Sequence, residues 1–164
     1  MSVPALIEWL TSTPLATFVL TYRWVWPISE TLHFCGLVLM VGTVGMFDLR
    51  VLGVGKGAAP ALLHRSLQWG LAGFGISVLT GMLFVTATPD QYFYNAAFKV
   101  KAAALLLLGT NALLFYVLEA RQVLVLDSNA DAPSRAKWMA AISLALLVTI
   151  MCAGRLITFF RPPF

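Results

Sequence analysis

Charge is what this 164-residue chain has least of: Asp, Glu, Lys and Arg make up 11% of it, against about 25% in an ordinary soluble domain. Too little polar surface remains to face water, and with 60% hydrophobic residues the chain reads as a membrane protein. Cysteine and histidine are scarce as well, at two each. Cys35 and Cys152 fall inside apolar stretches and match no metal-ligand spacing such as C-x-x-C, so they read as small buried hydrophobes. No basic segment opens the chain, which argues against a cleaved signal peptide. There is no H-E-x-x-H, no Gly-rich phosphate loop after a strand, no Ser, His and acid on one face, and no carboxylate pair at one depth in mid-membrane. Hydrolase and kinase chemistry are thereby set aside. The net charge of +4 sits in connections and at helix ends, a mark of membrane topology and not of nucleic-acid binding.

What is present is apolar length. Crossing a hydrocarbon core of about 30 Å takes roughly 20 apolar residues as a helix, and the stretches at about 24–52, 60–88, 91–122 and 133–160 all qualify. The expected fold is all-α: residues 1–164 form a single integral membrane domain, a four-transmembrane-helix bundle. Residues 1–22 carry Pro4 and Pro14 and break into two short pieces, Val3 to Leu10 and Leu15 to Tyr22, expected to lie at the lipid interface. Gly53, Gly55 and Gly57 make the first turn, Pro89-Asp90 the second, and Asp127 to Ser134 the last. Both chain ends then share one face, A. Face B carries Arg50, Lys56, Arg65, Arg121, Arg135 and Lys137 near its loops, which favours a cytoplasmic face B, periplasmic termini and the bacterial inner membrane. Gly73, Ser77 and Gly81 recur every fourth residue, and Gly42 and Gly45 notch the first span; such rows serve packing within the bundle or in a homo-oligomer.

Both histidines, His33 and His64, lie in predicted spans, where an ionisable group is by default a functional hypothesis. At about 1.5 Å per residue, His33 lies roughly 14 Å below face A, level with Thr80, Lys99 to Lys101 and Met151. His64 lies within two turns of face B, level with Asp48, Met46, Tyr116 and Lys137. The two are about 20 Å apart along the membrane normal and define two sites or none. Haem is the leading partner: His33 supplies an imidazole, Gly36 leaves space for the flat macrocycle, Glu30 orients the ring, and Lys99, Lys101 and Arg155 meet the propionates. The corresponding set near face B is His64 as ligand, Met46 as a sixth ligand, and Arg50, Arg65 or Lys137 for propionates. Plainer roles compete. His33 can bond Glu30 or a polar group on another helix, His64 can pair with Asp48, Asp48 and Arg50 can form a helix-end charge cluster, Lys99 and Lys101 can snorkel to face A, and Asn111 can make an interhelical hydrogen bond.

The run Glu30-Thr31-Leu32-His33-Phe34-Cys35-Gly36, followed by Phe47-Asp48-Leu49-Arg50-Val51-Leu52-Gly53, resembles a family of small bacterial four-helix membrane proteins with the pattern E-T-x-H-x-x-G leading into D-L-R-x-L-G. Phe98-Lys99 at the opening of the third span is similar too. The resemblance covers most of the chain and implies the fold, with little about function. More distantly, L-H-x-x-G in a first span is similar to copper-resistance D-type membrane domains and to b-type cytochrome bundles. The six methionines are scattered, without the Met- and His-rich signature of copper handling. The expected function is a membrane protein binding b-type haem, one or two per chain or shared between chains, in electron transfer or in redox or gas sensing, with a quinone or periplasmic electron-transfer partner. Familiar diheme bundles use four histidines and this chain has two, so a second axial ligand is missing. The alternatives are a cofactor-free transporter or channel, with His33, Glu30, Lys101 and Arg155 lining a polar path, and a structural subunit of a membrane complex.

Overall fold

The computed structural model describes residues 2–160, and among them every regular element is helical. The chain order is α1 (Val3–Thr11), α2 (Pro14–Thr21), α3 (Val25–Leu52), α4 (Pro60–His64), α5 (Leu67–Ala87), α6 (Asp90–Phe93), α7 (Ala96–Leu118), α8 (Ala120–Val123) and α9 (Ser134–Leu156). Four helices are long and apolar enough to cross a membrane: α3, α4 continued by α5, α7 and α9. Their boundaries follow local chemistry. Asn95 starts α7 later than hydropathy predicts, because its Oδ1 accepts from the backbone N–H groups of Ala97 and Phe98 at 2.9 and 3.3 Å, which separates α6 from α7. The Asn95 Nδ2 donates to the carbonyls of Ile157 and Phe160, so the start of α7 is tied to the end of α9. Gly53, with φ of 99°, closes α3 in the left-handed conformation that only glycine adopts freely.

The N-terminal pieces form two short helices close to the expected bounds. Pro14 opens α2 at an angle of 61° to α1, and the two together pass as a broken span or a re-entrant loop. Both pack against α5, with Ala16 and Val19 of α2 buried.

The long helices do not close into a ring. α3 packs most extensively on α5 and also on α9, and α7 packs on α9; α5 and α7 are not a closely packed pair. The α3–α5 crossing is a backbone contact. A Cβ added at Gly73 would collide with the Gly36 carbonyl oxygen, and one at Gly70 with the Thr43 hydroxyl. The expected row Gly73, Ser77 and Gly81 on α5 is used for this approach, but its partner on α3 is Gly36; a Cβ at Gly42 would meet nothing within 4 Å. Near the other end, Phe47 and Val51 of α3, Phe115 of α7, Val123 of α8 and Ala136 and Ala140 of α9 form the largest buried apolar cluster.

Arg50 closes this end. It is 1% exposed, and its Nε donates to the Ala58 carbonyl at 2.7 Å. Its Nη2 donates to the carbonyls of Ser128 at 2.7 Å and of Asp127 and Ala130 at 3.2 Å. One guanidinium therefore holds the α3–α4 turn against the loop before α9. Outside it, Asp131 accepts from Lys56 at 2.8 Å and from Lys137 at 3.0 Å, and these two ammonium groups hold its carboxyl down to about 2.

Replacing Arg50 with Met orphans several loop carbonyls, each costing about 1–3 kcal/mol if buried, so thermal unfolding in detergent should show a loss of about 3 kcal/mol or more. Arg50→Lys should recover only part of it, since an ammonium lacks the planar fork. The sign for Asp131 follows from its depressed value: the contribution of the Lys56–Asp131–Lys137 tie is whole above the unfolded carboxyl range and is lost as pH falls towards about 2. Carboxyl-carbon NMR should place Asp131 near that value and move it upward in Lys56→Ala; an unmoved titration would mean that the tie does not form.

Candidate functional site

His33 projects from the first half of α3 between α5 and α7. Its Nδ1 lies 2.9 Å from the Thr80 Oγ1. That hydroxyl donates its own proton to the carbonyls of Ile76 at 2.8 Å and Ser77 at 3.3 Å, so at Nδ1 it acts as acceptor and the imidazole as N–H donor. The lone pair is thereby left on Nε2, which faces the Lys101 Nζ at 3.5 Å. Phe84 of α5 meets the ring edge to face, with centroids 5.8 Å apart. Glycines flank the pair: a Cβ on Gly81 would stand 3.6 Å from His33 Cε1, and one on Gly154 would stand 3.4 Å from the Lys101 ammonium.

Depth counting put Thr80 and Lys101 at the level of His33, and both touch it. The other expected members do not gather there. Glu30 is exposed and Thr80, in its place, orients the ring. Lys99 is exposed. Arg155 is also exposed, its guanidinium 5.8 Å from the Phe159 ring centroid. Gly36 borders no open space: α5 fills the place expected for a macrocycle, with the Gly73 carbonyl and Ser77 against it.

Towards the opposite end, the unpacked gap between α5 and α7 widens into a cavity of about 560 Å³. His64 and Arg65 line it from α4 and its C-terminal end, Asp48 from α3, Asn111 and Tyr116 from α7, and Ser143 from α9. The His64 Nε2 is 3.0 Å from the Tyr116 hydroxyl, and its ring meets Phe47 edge to face at 6.1 Å. His64 thus bonds tyrosine and not Asp48. Asn111 makes the expected interhelical bond, its Nδ2 donating to the Met139 carbonyl at 3.0 Å. Asp48 is 6% exposed, has Ser143 beside it as a hydrogen-bond partner, and leaves its Oδ2 with no partner among the described residues.

The other residues expected beside His64 are elsewhere. Met46 is 51% exposed on the outside of α3 and does not line the cavity. Arg50 is committed to loop carbonyls and Lys137 to Asp131. Arg65 alone of that set lies with His64. From His33 to Phe47, where His64 packs, α3 rises about 21 Å over its intervening residues, so the histidines occupy separate sites. Among the described residues no group of three His, Cys, Asp or Glu side chains is placed to hold a metal ion together. At either site this chain offers an iron one imidazole.

Sequence reasoning missed two roles. Thr80 was counted at the right depth without being seen as the acceptor for Nδ1. Asp48 was read with Arg50 as a helix-end charge cluster, although side chains two positions apart on a helix point in different directions. No protein-family model matches the chain, and neither does any curated protein or solved structure, so the functional reading rests on this geometry.

Proposed function

We propose that this is a multi-pass protein of the bacterial inner membrane that binds b-type haem through His33 and serves electron transfer or redox or gas sensing. Four long apolar helices support the membrane reading. So do their outward faces, where residues such as Leu106, Leu113 and Val117 of α7 are largely uncovered. Lipid is the solvent that makes such a surface stable. The orientation proposed from the loop charges has face B cytoplasmic and the termini periplasmic.

The observation that carries the haem reading is the state in which His33 is held. Ligand imidazoles commonly donate the second ring N–H to a fixed acceptor, which sets the tautomer and raises the basicity of the free nitrogen. Thr80 takes that role here, and Nε2 is the nitrogen left with its lone pair. Lys101 faces that lone pair at 3.5 Å and would swing aside on its flexible stem to leave Nε2 for iron and meet a propionate, while Phe84 limits rotation of the imidazole. When bound, haem supplies a one-electron iron couple and, if five-coordinate, a position for a diatomic gas. The missing second ligand makes a haem shared with a second copy of the chain part of the same proposal.

Protein purified from membranes should show a Soret band and a pyridine-haemochrome signal. His33→Ala should lose the bound haem, and Thr80→Val should weaken its retention by about 10- to 100-fold, the range for loss of a residue that orients a metal ligand. His64→Ala should leave haem per chain unchanged. A wild-type preparation without a Soret band, from cells supplied with haem, would sink this reading.

A further inference from the structure

The His64 cavity contains a group that the proposed haem site does not use. Asp48 lines a largely apolar chamber whose other polar residues are His64, Arg65, Gln68, Asn111, Tyr116 and Ser143, and its Oδ2 is shielded and without a hydrogen-bond partner among the described residues. A buried carboxylate oxygen left bare is costly, and folds rarely keep one without a use. Arg65, the cation lining the same cavity, makes no ion pair with it. His64 is directed to Tyr116, and the Asn111 amide nitrogen to Met139. What would complete Asp48 is a donor brought from outside.

The walls define the rest of that donor's chemistry. Phe47, Phe74, Phe115 and Tyr116 line the chamber, and aromatic faces attract organic cations as well as apolar bodies. Its volume, about 560 Å³, is within the range of small-molecule sites. α5 and α7 do not pack closely, and Leu71, on the wall, is 71% exposed, so the chamber opens sideways on the face that lipid covers. A haem would fill such walls, but its polar edge carries two propionates, acceptors of the same charge sign as an Asp48 carboxylate. We infer that this cavity is a binding site for a lipophilic monocationic amine, entering from the bilayer, whose ammonium N–H donates to Asp48 while its apolar body lies between α5 and α7.

The site is independent of haem at His33 and is tested without it. In lipid nanodiscs, fluorescent naphthylbutylamine should bind saturably, and the uncharged naphthylbutanol of the same skeleton should bind more weakly. Asp48→Asn keeps the shape and removes the charge; it should weaken the amine about tenfold or more, as loss of a charge-assisted hydrogen bond does. Gly109 lines the cavity and a Cβ there meets nothing within 4 Å, so Gly109→Phe should fill the chamber and abolish binding with the melting temperature kept. Arg65→Ala removes a like charge and should leave binding unchanged or tighter. Equal affinity for amine and alcohol, undiminished binding in Asp48→Asn, or loss of binding in Arg65→Ala would each overturn the assignment. Should Asp48→Asn fail to fold, the amine–alcohol comparison and Gly109→Phe decide it.

Discussion

The arrangement depends on how closely α3 and α5 approach. Gly36 and Gly73 bring the two backbones into contact, with Gly70 against Thr43 and Ser77 donating to the His33 carbonyl at 3.2 Å along the same seam. Any side chain at Gly36 or Gly73 would push the helices apart. That contact sets Thr80 beside His33 and fixes which ring nitrogen carries the proton. With α7 packed chiefly on α9, the bundle stays open along one edge, and both candidate sites lie along that opening.

Most buried polar groups elsewhere find partners within the chain, because apolar surroundings offer no water to supply them. Thr43 and Thr80 return their hydroxyl protons to their own helices, Asn95 ties α7 to α9, and Arg50 gathers the face B loops. Among the described residues, the Asp48 Oδ2 and the Arg50 Nη1 depart from that pattern. Asp48 shares its helix and nearly its position with Arg50, whose Nε and Nη2 are engaged by carbonyls and whose Nη1 is left bare like the Asp48 Oδ2. The two differ in direction, with Arg50 aimed at loop carbonyls and Asp48 beside Ser143 in the cavity wall.

Much of this was legible beforehand. Long apolar stretches announce α3, α4–α5, α7 and α9, because helical hydrogen bonding is how an apolar segment satisfies its own backbone. Rise per residue placed His33 level with Thr80 and Lys101 and far from His64, since depth along a helix depends only on counting. Azimuth was not legible. Gly36 was assigned to a cofactor and serves helix packing; Met46 and Arg50 were assigned to His64 and face elsewhere; Glu30 was given the role that Thr80 holds.

The sequence by itself determined the elements, their lengths and the level of each polar residue, because these follow from local hydropathy, capping and the fixed pitch of a helix. Only the tertiary structure decided which residues meet at a given level. That choice rests on helix rotation and on which pairs pack, and these depend on contacts between segments distant in the chain. The α3–α5 glycine seam, the Thr80 bond to His33 and the bare oxygen of Asp48 all belong to that second category.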